Sequence, residues 1–452
     1  MSGVHSWWTL REAFASRELE KVAQRQRACL AEMVTYARAR SPYYRDLYRD
    51  LPVRVEDPTL LPVTNKRELM ARFDDWAADY EVTIGKARAF AENPDLIGER
   101  FLGKYTLAAT SGTTGTPGIF VLDDRSMAVT NAMALRTLRA WLGFGDLVRI
   151  LADGGRMAMT IASGSHSATA VAAARLHKSA SGRKRVLAIS VHTPLSEMVS
   201  QLNEFRPALL APYASIAKLL AGEQEAGRLN IHPVLMVLAA EGLPISEYDR
   251  IAKVFDAKVE TSYAATECMF FSYGCEERWL HVNSDWAVLE PVDADYRPVP
   301  PGEQSHTVLL SNLANRVQPI LRYDLGDSIL QRPDPCPCGN PLPAIRVRGR
   351  SADVLSFPKE GGKRVSIPPL ALEVDHVPGI ELFQIVQTTP TSLRVRLRPA
   401  ASADPNHVWE SVQCDIRRLL TAHGLDHVAV ERAEEPPVQS TGGKYRTVIP
   451  LS

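Results

Sequence analysis

Apolar side chains recur at helical spacing near the start of the chain, between residues 16 and 40. The spacing predicts an amphipathic helix whose buried stripe is formed by Leu19, Val22, Ala23, Leu30, Met33, Val34 and Ala37. The helix is expected to end at Ser41-Pro42, because proline disfavours helical backbone in the residue before it. Further along, Asn65 is a candidate N-cap for a second helix.

Helical patterns and short apolar runs alternate between residue 125 and about residue 330. A helix is predicted over 127–142, and another opens at Thr193-Pro194 and runs through Phe205. The apolar runs predict buried strands at 148–152, 186–190, 208–211, 234–238 and 258–261. Such alternation predicts a doubly wound, parallel α/β core, in which ligands bind beyond the carboxyl ends of the strands.

The pattern changes after Gly349. Residues 393–398 alternate strictly between apolar side chains and arginine, which predicts a half-exposed strand. A helix is predicted over 406–422 and a further strand over 428–432. The chain is therefore expected to have a large α/β domain at 1–349 and a small α+β domain at 350–452.

Composition narrows the class of protein. The 452 residues carry 52 basic and 52 acidic side chains, a balance that gives no overall attraction to nucleic acid or to an anionic membrane. No apolar run approaches the roughly eighteen residues of a membrane span, and the N-terminus lacks the pattern of a signal peptide. A soluble, cytoplasmic protein is expected. Its six cysteines are then thiols or metal ligands, and Cys29 and Cys414, which fall inside helical patterns, are expected to be packing residues.

Residues 105–121 predict a strand, a loop and a second strand. The loop, TSGTTGTPG at 110–118, combines three glycines with Ser and Thr hydroxyls, a composition that suits a phosphate-binding loop. It is not a Walker loop, since no lysine follows its second glycine, and it is not a G-x-G-x-x-G dinucleotide loop. A flexible surface loop is the alternative.

Four later motifs also suggest chemistry. In TSYAATE at 261–267, Tyr263 can stack on a base and the Glu267 carboxylate can bind Mg²⁺. In RYDLGD, a turn presents Asp327, which can accept hydrogen bonds from a ribose diol or cap its own backbone. GRSAD at 349–353 is a charged turn where the composition changes. In STGGKYR, Lys444 is either a solvated surface charge or a phosphate-binding group on a mobile module.

In this order, the five motifs resemble those of the adenylate-forming superfamily, which includes acyl-CoA synthetases, peptide-synthetase adenylation domains and luciferases. TSGTTGTPG is similar to its phosphate loop, YAATE to its adenine and magnesium motif, and RYDLGD to its ribose motif; GRSAD is similar to its hinge and TGGK to its catalytic lysine motif. The resemblance covers about residues 30 to 450. It is greatest to the branch of phenylacetate-CoA ligases and coenzyme F390 synthetases, because of LPVTNK, Pro117-Gly118 and the Cys336-Pro-Cys338-Gly segment.

The resemblance implies an ATP- and Mg²⁺-dependent ligase that activates a small, aromatic or otherwise compact carboxylic acid as an acyl-adenylate and passes it to CoA. Three residues would be catalytic: Thr266 at the α-phosphate, Glu267 at Mg²⁺, and Lys444 between the α-phosphate and the carboxylate. ATP would be bound by Thr110, Ser111, Gly112, Thr113, Thr114, Gly115, Ala240, Glu241, Gly242, Tyr263, Asp327 and Arg350. The acyl pocket would be lined by Trp141, His166, Tyr213, Ala239 and Ala264.

The family also rotates its C-terminal domain between the two steps, so the resemblance implies a mobile domain at 350–452, and it implies a homodimer. A metal site is a further expectation. Cys275, His281, Cys336 and Cys338 offer four ligands suited to closed tetrahedral Zn²⁺, although neither pair has zinc-finger spacing. Resemblance to zinc-bearing members favours structural zinc, and plain thiols beside a surface histidine are the alternative.

Two departures from the family's pattern leave the acceptor open. Where the hinge usually reads GR-x-D-D, this chain has Ala352 before Asp353, and residues 357–365 carry extra Gly and Lys. Adenylation stays expected, with CoA, a carrier-protein thiol, an amine or another nucleophile as acceptor. A nucleotide-binding protein without catalysis is a further alternative, against which the joint presence of Glu267, Asp327, Arg350 and Lys444 argues.

Overall fold

The computed structural model describes residues 19–110, 118–162, 166–178, 184–239, 242–243, 245–269, 271–350, 354–359, 364–367, 369–372, 374, 377–438 and 446–451. The chain divides into two compact units. The first comprises Met1–Leu325 and Leu330–Arg346, and the second comprises Gly326–Ile329 and Val347–Ser452. Among the helices that the structure describes, none combines the length and the hydropathy needed to span a bilayer.

The helices follow one another along the chain as α1 (Leu19–Arg40), α2 (Pro42–Leu47), α3 (Lys66–Ala71), α4 (Phe73–Trp76), α5 (Ile84–Ala91), α6 (Asp124–Trp141), α7 (Phe144–Ala152), α8 (Ala168–Lys178), α9 (Leu195–Phe205), α10 (Ala214–Glu225), α11 (Ile245–Phe255) and α12 (Pro405–Ala422). Short 3₁₀ turns lie at Pro58–Leu60, Pro94–Leu96 and Pro369–Leu372.

The strands are β1 (Thr106–Ala109), β2 (Ile119–Leu122), β3 (Met157–Ile161), β4 (Val186–Ser190), β5 (Leu209–Ala211), β6 (Leu235–Leu238), β7 (Lys258–Thr261), β8 (Ser272–Gly274), β9 (Leu280–Val282), β10 (Ala287–Val292), β11 (Thr307–Asn312), β12 (Ile320–Asp324), β13 (Asp327–Gln331), β14 (Ala344–Arg350), β15 (Leu355–Pro358), β16 (Arg364–Ile367), β17 (Ile380–Thr389), β18 (Ser392–Pro399), β19 (Ala429–Arg432) and β20 (Val448–Ile449).

Helix α1 confirms the first sequence prediction. Its buried stripe contains Val22, Leu30, Met33, Val34 and Ala37, all less than a tenth exposed. The helix stops before Ser41-Pro42, as expected, and the Asn65 side chain caps α3 by accepting the Glu68 N–H at 3.0 Å. The apolar face of α1 packs into a core that also contains β1, β2 and β12.

A five-stranded parallel sheet, in the order β4-β3-β5-β6-β7, is the centre of the first unit's α/β part. Helices α8 to α11 connect its successive strands, which confirms the doubly wound prediction. Strand β4 lies on one side of β3 and β5 on the other, so the direction of winding reverses at β3. The carboxyl end of β3 is thus the place where such a sheet binds its ligand.

The strand predicted at 148–152 is wrong. These residues form the second half of α7, whose apolar side chains Phe144, Leu147, Val148 and Leu151 recur at helical spacing and are exposed. The helix is stabilised at its start by the Asp146 carboxylate, which accepts the Gly143 N–H at 2.8 Å. The next strand is β3, outside the predicted segment, because periodicity alone does not separate a short strand from a short helix.

Helix α9 begins one residue later than predicted, at Leu195, with Pro194 at its N-cap.

An antiparallel sheet, β10-β11-β12, completes the part of the first unit that concerns the site. Strand β12 is held on its other edge by Thr64 of the LPVTNK segment, whose N–H donates to the Arg322 carbonyl at 3.0 Å and whose carbonyl accepts the Asp324 N–H at 2.9 Å. Arg322 itself is buried, and its guanidinium donates to the Leu61 carbonyl at 2.6 Å and to Glu290. The strand that carries the RYDLGD motif is therefore anchored along both edges.

The second unit is built on a four-stranded sheet in the order β19-β18-β17-β20, against which α12 packs through Val408, Val412, Ile416 and Leu420. The predicted strands at 393–398 and 428–432 and the helix at 406–422 correspond to β18, β19 and α12. Inward positions of β18 are apolar and outward ones are arginines, as the alternation predicts.

Candidate functional site

Strands β1 and β2, which flank the TSGTTGTPG motif, pair in antiparallel fashion, and this confirms the two predicted strands. The Thr110 N–H donates to the Gly118 carbonyl at 2.8 Å, and the Gly118 N–H donates to the Thr110 hydroxyl at 2.9 Å. A Cβ atom at Gly118 would lie 2.7 Å from the Phe120 ring, so this position requires glycine. Ser111, Gly112, Thr113, Thr114 and Gly115 lie outside the described residues.

The hairpin meets the parallel sheet at the carboxyl end of β3. The Ala109 N–H, next to the motif, donates to the carbonyl of His166, which follows β3 in the chain, at 2.7 Å. On the same strand the Thr160 hydroxyl accepts the Tyr213 N–H at 2.8 Å. Ala109, the residue before the first motif, is therefore near the point where the winding of the sheet reverses.

The second and third motifs meet in the structure. The Tyr323 hydroxyl, from RYDLGD, donates to the Glu267 carboxylate at 2.8 Å, and both side chains are buried, at 1% and 6% exposed. The Glu267 carbonyl accepts a second hydrogen bond, from the Asn312 side-chain amide at 2.8 Å. The backbone there turns tightly, with paired hydrogen bonds between Ala265 and Cys268. A buried carboxylate is thus held in a fixed orientation at the end of β7.

Tyr263 stands at the start of this turn. Its N–H donates to the Ser272 hydroxyl at 3.1 Å, and its carbonyl accepts that hydroxyl at 2.8 Å. The ring is half-buried and meets the Phe271 ring edge-on, with centroids 4.9 Å apart. Ala264 is exposed and Thr266 is half-buried.

Two residues predicted for the acyl pocket are brought together at the carboxyl ends of β5 and β6. Tyr213 and Ala239 form a parallel bridge, in which the Ala239 carbonyl accepts the Ala214 N–H at 3.2 Å. Gly242, farther along, is exposed, whereas Ala240 and Glu241 lie outside the described residues.

Trp141 and His166 have other surroundings. The Trp141 indole donates to the Gly274 carbonyl at 2.9 Å and packs in a core cluster different from that of Tyr213. The His166 ring is 1% exposed, donates from Nε2 to the Asn93 carbonyl at 3.1 Å and packs against Phe90. In the part of the chain that the structure describes, both side chains have the contacts of packing residues.

The remaining predicted ligands of ATP lie in the second unit. Asp327 is the first residue of β13 and follows the turn made by Gly326, whose φ of 72° is a left-handed conformation. Arg350 is the last residue of β14, and its side chain is outside what the structure describes. Lys444 lies outside the described residues.

The four predicted metal ligands, 63 residues apart at their extremes in the chain, converge at one point. The Sγ atoms of Cys275, Cys336 and Cys338 and a ring nitrogen of His281 all lie within 4.8 Å of one another. The Cys275 and Cys336 sulfurs are 3.8 Å apart. A tetrahedron with zinc–sulfur bonds of about 2.3 Å has sulfur–sulfur edges of about 3.8 Å, so the spacing fits such an ion.

The histidine is oriented as a ligand. Its Nδ1 donates to the Leu342 carbonyl at 2.8 Å, which leaves Nε2 unprotonated and facing the Cys338 sulfur at 3.2 Å. Burial lowers the pKa of His281, which favours the neutral ring, and raises the pKa of Cys275 to about 12. A thiol that burial keeps protonated loses its proton when it binds a cation such as Zn²⁺.

Comparison with protein-family models and with curated proteins gives no match. Solved structures do match. A 2-hydroxyisobutyryl-CoA ligase in its postadenylation state, in complex with 2-HIB-AMP, aligns over 96% of this chain and 89% of its own with a TM-score of 0.67 and 20% identity. The GH3.15 acyl acid amido synthetase aligns over 96% of this chain and 93% of its own with a TM-score of 0.60 and 13% identity. This chain has the fold of the adenylate-forming ligases.

A third structure with this fold, an anthranilate-CoA ligase in complex with anthranoyl-AMP, covers 75% of the chain and 65% of its own with a TM-score of 0.52 and 17% identity. The resemblance drawn from the five motifs is thereby confirmed at the level of the adenylate-forming fold.

Within the adenylate-forming fold of this chain, sequence reasoning missed two residues that hold Glu267. Tyr323 lies inside the RYDLGD motif, but its partner depends on how β12 is placed against the turn after β7. Asn312, at the end of β11, belongs to no motif and gave no signal. The hydroxyl in RYDLGD was the one available clue, because a buried tyrosine hydroxyl usually finds a hydrogen-bond partner.

Proposed function

We propose that this protein is an acid–thiol ligase that activates a small, aromatic or otherwise compact carboxylic acid with ATP and transfers it to CoA. The observation that carries the proposal is the contact between Tyr323 and Glu267, which joins two nucleotide motifs around a buried carboxylate in a chain with the adenylate-forming fold. The similar structures include two CoA ligases with an acyl-adenylate bound, one for 2-hydroxyisobutyrate and one for anthranilate.

The first step needs stabilisation of charge more than acid–base catalysis. One oxygen of the substrate carboxylate attacks the α-phosphorus, and the bond to the bridging oxygen breaks so that pyrophosphate leaves. Glu267 would hold the Mg²⁺ that neutralises the phosphates, and Thr266 would contact the α-phosphate. Lys444 would stabilise the negative charge where the carboxylate and the α-phosphate meet.

ATP itself would be held by the other residues of the nucleotide motifs. The hydroxyls and backbone N–H groups from Thr110 to Gly115 would bind the β- and γ-phosphates. Tyr263 would stack on adenine with the 240–242 segment opposite it, and Asp327 and Arg350 would bind the ribose. In the second step the CoA thiolate attacks the acyl carbonyl carbon, and AMP leaves with the former carboxylate oxygen.

The acyl pocket would lie at the carboxyl ends of β5 and β6, where Tyr213 and Ala239 are bridged. The Tyr213 side chain is buried and Ala264 is small and exposed, which suits a compact acid. Of the other residues predicted for this pocket, Trp141 and His166 would act through packing.

An amine acceptor is the second candidate. It is favoured by the similarity to an acyl acid amido synthetase over 96% of this chain, and the hinge motif, in which Ala352 stands where the family has aspartate, permits it. The alternative to both acceptors is a protein that binds a nucleotide without catalysing a reaction.

These alternatives separate in one assay of pyrophosphate release. The enzyme is incubated with ATP, Mg²⁺ and a panel of carboxylic acids, with and without CoA. Release together with an acyl-CoA product supports the ligase, release without an acyl-CoA product favours another acceptor, and no release with any acid contradicts adenylation.

We also propose that Cys275, His281, Cys336 and Cys338 bind a structural Zn²⁺. Four protein ligands would leave no open coordination position, so the ion would stabilise the fold and not take part in the reaction. It would join the turn after β8 and the neighbouring strand β9 to the loop before β14, which lies much farther along the sequence.

Replacing Cys338 with serine is expected to lower the bound zinc from one equivalent to a small fraction and to lower the melting temperature by several degrees, since a removed metal ligand costs folding energy. Elemental analysis of the purified protein and a thermal melt measure both. Cys414→Ser, which alters an exposed cysteine on α12, is the matched control and is expected to change neither. Equal zinc content in the parent and Cys338→Ser proteins would contradict the site.

Replacing Tyr323 with phenylalanine removes only the hydroxyl that orients Glu267. Hydrogen bonds to charged groups contribute about 1.5–3 kcal/mol, so we expect about a tenfold loss in adenylation rate and a higher Mg²⁺ requirement. Titration of Mg²⁺ in the pyrophosphate assay measures both. Tyr296→Phe, which removes the exposed hydroxyl that donates to Asp324 at 3.1 Å, is the control. An unchanged Mg²⁺ titration for Tyr323→Phe would show that the contact does not position the carboxylate.

A further inference from the structure

One buried side chain binds both residues that flank the segment 439–445, in which Lys444 lies. Gln384, on β17, is 1% exposed, and its Nε2 donates to the carbonyls of Val438 at 3.1 Å and Arg446 at 2.9 Å. Because one nitrogen serves both, the two carbonyl oxygens lie within roughly 6 Å of each other. The chain leaves this point at Val438 and returns to it at Arg446, with residues 439–445 between.

A hydrogen bond to the oxygen of the Gln384 amide fixes the orientation of this group. Its Oε1 accepts a hydrogen bond from Arg396 Nη1 at 2.8 Å. A guanidinium can only donate, so Arg396 requires the oxygen on its side and turns the NH₂ group toward the two carbonyls. Arg396 is held in turn by Glu435, at 3.3 Å.

The chain beyond Arg446 is also held by β17. The Ile385 N–H donates to the Thr447 carbonyl at 2.8 Å, and β20 then pairs with β17 in parallel, with Val448 opposite Ile385. The returning end of the segment is thus fixed by backbone bonds, whereas the Gln384 side chain joins that end to the departing one.

We propose that Gln384 is a positioning residue for Lys444: with Arg396 and Glu435 it fixes both ends of the 439–445 segment and so determines where the lysine ammonium is presented. The inference rests on the proposed function, in which Lys444 acts in adenylation and not in thioester formation. Without Gln384 the side-chain link between Val438 and Arg446 is lost, and a displacement of a catalytic group by about 1 Å can cost about 100-fold in rate.

Chain geometry supplies a matched control. Gln387 lies on the same strand, is also buried, and donates from Nε2 to the Ser356 carbonyl at 3.1 Å instead of to the ends of the segment. Gln384→Met and Gln387→Met therefore remove the same amide group from the same strand, and only the first removes the hydrogen bonds to Val438 and Arg446.

The test separates the two half-reactions. Adenylation is followed as exchange of labelled pyrophosphate into ATP, and thioester formation is followed from synthetic acyl-adenylate and CoA. Gln384→Met is expected to slow adenylation by on the order of 100-fold and to leave thioester formation unchanged, while Gln387→Met keeps both rates. A folded Gln384→Met that adenylates at the parent rate, or loses both half-reactions equally, overturns the inference.

Two further measurements apply if Gln384→Met does not fold or if the parent protein shows no pyrophosphate exchange. If Gln384→Met does not fold, Arg396→Met, which removes the guanidinium that donates to the amide oxygen, carries the same comparison with the same two outcomes. If the parent protein exchanges no pyrophosphate with any acid, the proposed function fails by itself. Hydrogen exchange of the peptide that spans 439–445 then tests the clamp: faster exchange in Gln384→Met than in Gln387→Met supports it, and equal exchange overturns it.

Discussion

Replacing Lys444 with alanine is expected to lower the rate of acyl-adenylate formation by about 100- to 1000-fold, the range found when one preorganised group that stabilises a transition state is removed. The ammonium would stabilise charge that develops as the carboxylate attacks the α-phosphate. The TSGTTGTPG loop has no lysine of its own, so no neighbouring cation in that motif can replace it. Thioester formation from supplied acyl-adenylate and CoA is expected to continue at the parent rate.

Pyrophosphate exchange and single-turnover thioester formation measure the two rates separately. Lys359→Ala is the control, because Lys359 is an exposed lysine of the second unit whose ammonium donates to the His423 carbonyl at 3.2 Å. It is expected to behave as the parent in both assays. A Lys444→Ala protein that exchanges pyrophosphate at the parent rate would show that the catalytic cation lies elsewhere.

Replacing Glu267 with glutamine should have a loss of similar size, about 100- to 1000-fold in adenylation. The amide can still accept the Tyr323 hydroxyl, so shape and burial are kept, but the negative charge that would bind Mg²⁺ is removed. The fold should tolerate the change, since it takes a charge out of a buried site.

Initial rates at increasing Mg²⁺, together with a thermal melt, test this expectation. The glutamine variant should need more Mg²⁺ and should melt no lower than the parent. Glu99→Gln, which alters an exposed carboxylate paired with Lys178, should leave the titration unchanged. A Glu267→Gln protein with the parent's rate and Mg²⁺ dependence would remove this carboxylate from the metal site.

The sequence patterns predicted the parallel core best where apolar runs were bounded by clear turns or helices. The runs at 186–190 and 258–261 are strands as expected, whereas the run at 148–152 is helical. Val148 and Leu151 are exposed and Ile150 is buried, a pattern that fits the helical spacing beginning at Phe144 and the cap at Asp146. A window confined to five residues contains neither.

In the candidate site, the contacts that sequence patterns did not predict join residues that are distant in the sequence. The grouping of the four candidate metal ligands was predictable because cysteine and histidine suggest a shared ion whatever their order, and the fold brings these side chains together. Tyr323 and Glu267 are 56 residues apart, and their contact depends on how β12 lies against the turn after β7. Gln384 belongs to none of the sequence motifs. Its proposed role follows only from the structure, in which its amide nitrogen donates to the carbonyls of both Val438 and Arg446.

Activation of the carboxylic acid as an acyl-adenylate is tested most directly by following the transfer of a carboxylate oxygen to AMP. The acid that supports pyrophosphate release is supplied with both carboxylate oxygens as ¹⁸O, together with ATP and CoA, and the nucleotide products are examined by mass spectrometry. Attack on the α-phosphorus followed by displacement of AMP must leave one ¹⁸O atom in AMP. AMP without label, or label in inorganic phosphate with ADP as the nucleotide product, would contradict the account.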